Sequence, residues 1–244
     1  MYLRADRLAL VNTLEDTFGD IYGGGVWSEL SETASSNISQ NVVSLLLHSM
    51  IWEKRISACT GSFIEWNGCA TILTSASLVS HFVGDKKIAE NLRIEVLLPN
   101  KERRGGALQH YNLHYNVALV NVKDFSAPHP VNIQPQRSNY SSELVAIGCC
   151  FKSGMLMVAR GQHTEILGSF DCKLLKCSTC KITKAGIGGP LVDSDGKFIG
   201  MNFCGPDLYG MDLYGVIKNW TTFLPSDVIL DVLAYFKTKL TDCC

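Results

Sequence analysis

From Val42 to Cys204 the chain is a succession of short apolar runs cut by turn residues, and that punctuation restricts its fold more than any other feature. The runs fall at 42–48, 58–66, 69–75, 93–98, 106–111, 116–122, 143–151, 154–162, 174–182, 190–194 and 197–204. Asn67-Gly68, Pro99-Asn100, Gly105-Gly106 and Asp195-Gly196 supply the turns. Asn-Gly and Asp-Gly provide the positive φ that two-residue hairpins need. The stretch KDFSAPHPVNIQPQRSNYSS (123–142) holds three prolines and little apolar periodicity, and it splits the strands into two groups of similar size. Two small barrels in tandem is the predicted architecture.

The termini read differently. Leu8, Val11, Leu14 and Phe18 recur at helical spacing and predict a short amphipathic helix over 3–18, ended by Gly19. Gly23, Gly24 and Gly25 read as a loop, because no strand precedes them and no Lys-Ser/Thr follows to bind phosphate. The polar stretch 31–40 reads as a linker. At the other end Pro225 provides the stop, Ser226 the N-cap and Asp227 a charge suited to the helix dipole. Ile229, Val232, Leu233, Phe236 and Leu240 then form one apolar stripe, expected to lie on the preceding barrel. The expected divisions are 1–41 (helix and linker), 42–122 (first barrel), 123–142 (inter-barrel linker), 143–224 (second barrel) and 225–244 (C-terminal helix and tail).

Charge and cysteine usage narrow the function classes. Twenty-two basic against 23 acidic residues leave a net charge of −1, so no global footprint for nucleic acid exists. The run Lys101-Glu102-Arg103-Arg104 reads as a solvated turn, and the four tryptophans are scattered rather than gathered into a stacking platform. No apolar run reaches the roughly 18–20 residues that span a bilayer, so no membrane partner is expected. The acid-bearing N-terminus is a poor secretory signal. With the vicinal pairs Cys149-Cys150 and Cys243-Cys244, it predicts reduced thiols in the cytoplasm or nucleus. A zinc site from Cys172, Cys177, Cys180 and Cys204 is disfavoured, because 177 and 180 face opposite sides of a strand over 174–182. No metal or cofactor is expected.

Three segments carry a resemblance. TILTSASLV (71–79) resembles the strand and turn that bear the catalytic histidine in trypsin-like peptidases. YNVALVNV (115–122) resembles the segment bearing the aspartate, and AGIGGPLVDSDGKFIGMNF (185–203) resembles the nucleophile segment G-N-S-G-G-P-L-V with its following hairpin and strand. Order and spacing are similar to the Do-like branch of that family over about 42–224. The resemblance implies an all-β fold, a chymotrypsin-like double six-stranded β-barrel, here with a short N-terminal helix and a C-terminal helix. Family members often carry a further PDZ domain; too few residues follow the second barrel here, so the chain is expected to lack one or to be truncated.

By the same resemblance Ser77 stands at the histidine position, Asn116 at the aspartate position and Ile187 at the nucleophile position. Isoleucine has no heteroatom to attack a carbonyl. A serine hydroxyl is no general base near neutral pH. A neutral carboxamide stabilises no imidazolium. His81, His110 and His114 lie nearby in sequence, but Ile187 leaves a displaced base nothing to activate. The resemblance also implies an oxyanion-hole-like pair of N–H groups at Ala185 and Ile187. It implies a peptide groove lined by Ile182, Gly186, Met201, Asn202, Phe203 and Cys204, whose edge strand would take up an extended peptide. The expectation is a catalytically inactive homologue, similar to the degenerate copies of plant sets. It would bind protein or extended peptide, including an active relative or itself. The alternatives are a residual hydrolase with a non-standard site, or a structural domain for hetero-oligomer assembly.

Overall fold

Val43, Leu45 and Leu47 alternate along one face of a strand, and a sheet that closes around that face buries all three. The computed structural model describes residues 16–49, 55–79, 92–125, 127–135, 143–164, 174–204 and 221–241. Its elements open with β1 (Asp20–Ile21) and α1 (Glu32–Asn41). There follow β2 (Val42–Ser49), β3 (Arg55–Trp66), β4 (Cys69–Ser75), β5 (Leu92–Leu97), β6 (Arg103–Asn112) and β7 (Val117–Val122). These close an antiparallel barrel in the order β2-β3-β4-β7-β6-β5. The second group is β8 (Glu143–Cys149), β9 (Leu156–Thr164), β10 (Lys176–Ser178), β11 (Pro190–Asp193), β12 (Phe198–Cys204) and β13 (Thr221–Pro225). They close in the order β8-β9-β10-β13-β12-β11, with β1 added on β9 and α2 (Ser226–Thr241) after β13. The expected chymotrypsin-like double barrel is thus the fold.

Several local expectations need correction. Gly105-Gly106 is not a turn but lies inside β6, where a Cβ on Gly106 would meet methyls of Val120, Ile94 and Val96 at 2.8 to 3.0 Å. The bend falls earlier, with Lys101 at φ 69°. The strand expected over 174–182 shrinks to Lys176–Ser178, and Cys177 and Cys180 are both buried. Strand β13 has no counterpart among the apolar runs read from the sequence. The linker over 123–142 is tied to the first barrel in its described part: Val131 donates to Phe63 O at 2.9 Å and accepts from Glu65 N at 3.0 Å. Ala127 and Ile133 beside it are buried.

The stretch read as linker at 31–40 is helix α1 instead. Ser31 caps it, its Oγ accepting the Ala34 N–H at 3.1 Å. Ala34 and Ile38, four residues apart, join Trp27 and Leu30 against Val145, Ile147, Val158 and Val192 of the second barrel. Two apolar positions on one face hold this otherwise polar helix in place. The glycine cluster ahead of it closes a 3-10 turn over Gly25–Ser28, and the Asp20 carboxylate accepts the Val26 N–H at 2.8 Å. The helix expected over 3–18 lies outside the described residues except for Asp16–Phe18, which are not helical.

Helix α2 behaves as its stripe requires, with one broader consequence. Ile229, Val232, Leu233 and Phe236 are buried against Phe198, Met201 and Leu224 of the second barrel. The same cluster includes Ile64, Trp66, Leu73, Val117 and Leu119 of the first barrel, so α2 bridges the two. Ser226 is not its cap: the residue is the first of the helix, and its hydroxyl is buried with no hydrogen-bond partner among the described residues. The side chain of Leu240 lies outside the described residues.

Candidate functional site

Strand β4 ends at Ser75, and a single 3-10 turn over Ala76–Leu78 then presents Ser77. This turn is held by Asn116, at the mouth of β7. The Asn116 side-chain oxygen accepts the Ser77 N–H at 2.7 Å and the Ser75 hydroxyl at 2.9 Å. Its main-chain oxygen accepts the Ala76 N–H at 3.1 Å. Asn116 does this from φ 54°, a left-handed conformation that asparagine tolerates better than most side chains. The Ser75 and Ser77 hydroxyls are themselves hydrogen bonded.

The second barrel meets this turn through the segment before β11. A 3-10 turn over Lys184–Gly186 leads into Ile187, whose carbonyl accepts the Thr60 N–H at 2.9 Å. Gly188 follows at φ 78°, where a Cβ would stand 2.4 Å from Thr60 O and 2.8 Å from Ser75 N. Only glycine lets the two barrels approach so closely here. Ser77, Asn116 and Ile187 are therefore brought to one seam by contacts through Ser75 and Gly188. The Thr60 hydroxyl strengthens the seam from below, donating to Ala185 O at 2.5 Å and accepting the Cys149 N–H at 2.8 Å. Nothing in the sequence of β3 singled out Thr60; its role depends on long-range pairing alone.

The family model for the trypsin-like peptidase domain matches residues 59–201, a span that contains this whole seam. The chain belongs to that family. It is also 27% identical over 186 residues to the putative protease Do-like 14 of Arabidopsis thaliana, covering 69% of this chain and 41% of that protein. The chain therefore spans less than half the length of this curated relative.

Of the expected oxyanion-hole-like pair, Ala185 and Ile187, the Ile187 N–H is already engaged. It donates inward to Lys184 O at 3.2 Å, and the neighbouring Gly186 N–H donates to Thr183 O at 3.0 Å. Ala185 and Ile187 are both buried. The expected groove changes too. Ile182 and Gly186 are buried around Phe18, and Met201 lies in the core. Asn202 is fully buried, its Nδ2 facing Ile147 O and Pro190 O at 3.4 Å each. Its backbone is no open edge, since its N–H donates to Gly189 O and its carbonyl accepts the Gly188 N–H, both at 2.8 Å. Strand β13 covers the other side of β12, pairing Asn202 with Phe223 and Cys204 with Thr222. Of the groove residues, Phe203 keeps partial exposure; the side chain of Cys204 lies outside the described residues.

The remaining candidates sit elsewhere. His110, on β6, stacks on Phe236 and meets Trp66 edge-on, each ring centroid 5.1 Å away, and so serves the docking of α2. His114 packs edge-on against Tyr115. His81 and Cys172 lie outside the described residues. Cys59 is buried beneath the seam, its sulfur 3.0 Å from the Thr74 hydroxyl, and burial pushes its thiol up to about 12. Burial also raises Cys180, whose sulfur faces Leu144 O. No group of three His, Cys, Asp or Glu gathers for a metal among the described residues. No helix among them is long and apolar enough to cross a membrane.

Proposed function

We propose that this trypsin-like peptidase domain binds protein or extended peptide without cleaving it. The observation that carries this reading is the chemistry at the seam. By the family resemblance, a hydroxyl, a carboxamide and a hydrocarbon, from Ser77, Asn116 and Ile187, stand where acyl transfer needs a base, an orienting carboxylate and a nucleophile, and contacts through Ser75 and Gly188 bring them to one seam. Asn116 still accepts the N–H that fixes the turn, so the positioning task survives while the proton-handling task does not. The inward Ile187 N–H adds a second obstacle, because a donor already bonded to Lys184 O offers nothing to an oxyanion. The surface left for a partner is the end of β12 at Phe203–Cys204, where an extended segment would add as a strand. An active relative of the same fold and a second copy are both suitable partners. The free thiols of Cys59, Cys69 and Cys180 support a reducing compartment, the cytoplasm or nucleus.

Two measurements test the reading. A fluorophosphonate probe and casein turnover should both read blank for the native protein; stoichiometric labelling would overturn the non-catalytic assignment. An affinity pull-down with quantitative mass spectrometry should then compare native protein with Phe203→Asp. A partner lost only in the variant places binding at the end of β12, and identical partners for both proteins remove it from there.

A further inference from the structure

The segment Asp16–Tyr22 lies along the outside of the second barrel, yet it reaches the turn that carries Ile187. Phe18 is buried, and its ring tip lies between two glycines. A Cβ on Gly148 would stand 2.6 Å from the ring and a Cβ on Gly186 2.9 Å from it, so the slot exists only because both side chains are absent. On one side of Phe18, the Asp16 carbonyl accepts the Thr183 hydroxyl at the start of the 184–186 turn. On the other, Gly19 presses on β9 at φ 54°, with room for no Cβ beside Val158 O. The segment then pairs with β9 for two residues, Asp20 with Val158 and Ile21 with Met157, and Tyr22 N donates to Leu156 O at 3.0 Å.

Just beyond this segment is the glycine cluster. Gly23 and Gly25 take positive φ, 103° and 55°, as a hinge would. Asp20 latches it: its carboxylate accepts the Val26 N–H, its carbonyl accepts the Trp27 indole N–H at 3.3 Å, and it fills the place of a Cβ on Gly25. The segment thus has a short ladder, one deep aromatic anchor, a glycine hinge and one carboxylate latch to a backbone N–H. An element so built opens locally at a lower free energy than the barrel it lies on.

We propose that Asp16–Tyr22 is a detachable strap whose Phe18 plug sets the 183–187 turn. With the plug seated, Gly186 is pinned against the ring and the Ile187 N–H stays bonded to Lys184 O. With the plug withdrawn, the floor of the slot loses its aromatic neighbour and the turn is released. Whatever engages the strap from outside acts on the seam through Phe18. This concerns the order of the turn and holds whether or not the seam binds peptide.

Hydrogen exchange read by mass spectrometry tests it on the full chain. Phe18→Ala should speed exchange over 183–189 and 156–159 by about tenfold or more, leaving β2–β4 and α2 at native rates. Exchange that rises only within 16–22 would overturn the proposal. Should Phe18→Ala lose protection everywhere, Gly25→Ala decides, since its Cβ meets the Asp20 carboxylate and removes no core atom. Faster exchange at both 16–22 and 183–189 in Gly25→Ala supports the strap. Faster exchange at 16–22 with 183–189 at native rate, or no change at either, overturns it.

Discussion

The carboxamide oxygen of Asn116 lies 2.7 Å from the backbone nitrogen of Ser77 and accepts its hydrogen bond. A carboxylate at that position would accept the same N–H, so Asn116→Asp should fold with stability within about 0.5 kcal/mol of native. Asn116→Val should cost about 2–4 kcal/mol, by stripping two side-chain acceptor contacts and forcing a β-branched residue into the left-handed region. Urea unfolding curves for the two variants check both.

On the proposed reading, placing the family's three side chains at these positions should not yield a working peptidase. The combined variant Ser77→His, Asn116→Asp, Ile187→Ser would carry a base and a nucleophile while the N–H of residue 187 stays bonded to Lys184 O. Absence of one oxyanion donor alone costs on the order of 10²–10³ in turnover. Fluorophosphonate labelling of this variant should remain at least that much slower than labelling of an active trypsin-like peptidase assayed in parallel.

Thr60→Val keeps shape and removes the hydroxyl shared by Ala185 O and Cys149 N. Two buried backbone groups then lose this hydrogen bond, at about 1–3 kcal/mol for each. A destabilisation of about 2–4 kcal/mol in denaturant titration is expected, with Thr60→Ser close to native.

Cysteine chemistry should separate sharply by depth. Cys69 is exposed and should alkylate readily, whereas Cys59, fully buried and with its thiol held up to about 12, should react only on unfolding. The same shift has a thermodynamic sign. The unfolded thiol ionises near 9.0 and the folded one does not until about 12, so stability is lost as pH climbs through that window. The slope from this group is at most ~1.4 kcal/mol per pH unit. Unfolding curves between pH 8 and pH 10.5 read it, and Cys59→Ala should flatten it.

His110 gives the opposite dependence. Desolvation by burial, aided by Lys239, holds its imidazole below the ordinary 6.5. The unfolded chain therefore takes up this proton first as pH falls below 6.5, and stability is lost on acidification. Hydrogen exchange over α2 should quicken between pH 7 and pH 5.5 in the native protein and much less in His110→Phe.

The barrels were legible because their signals are local. Asn67-Gly68 forms the hairpin it spells, with φ of 51° and 74°, and the alternation of β2 places Val43, Leu45 and Leu47 inside. What escaped is fixed by distant partners. Helix α1 shows only Ala34 and Ile38 above a polar background, and its reason to fold is the apolar surface of the second barrel. Gly106 imitates a turn residue, but what requires it is the crowd of Val120, Ile94 and Val96 inside the first barrel. At the seam, residue identity at 77, 116 and 187 could be read from the motifs. That Phe18 would fill the space beside Gly186 could not, since 168 residues separate them in the chain.

The bridging position of α2 has a consequence for the order in which the protein is made. Ile64, Trp66, Leu73, Val117 and Leu119 leave the ribosome long before the helix that covers them, which follows on the order of a hundred residues later. At synthesis rates of about 5–20 residues per second, the first barrel exposes an oily face for on the order of 5–20 s. During that interval the first barrel presents uncovered apolar β-surface, and the shared core of the two barrels is completed only when α2 arrives.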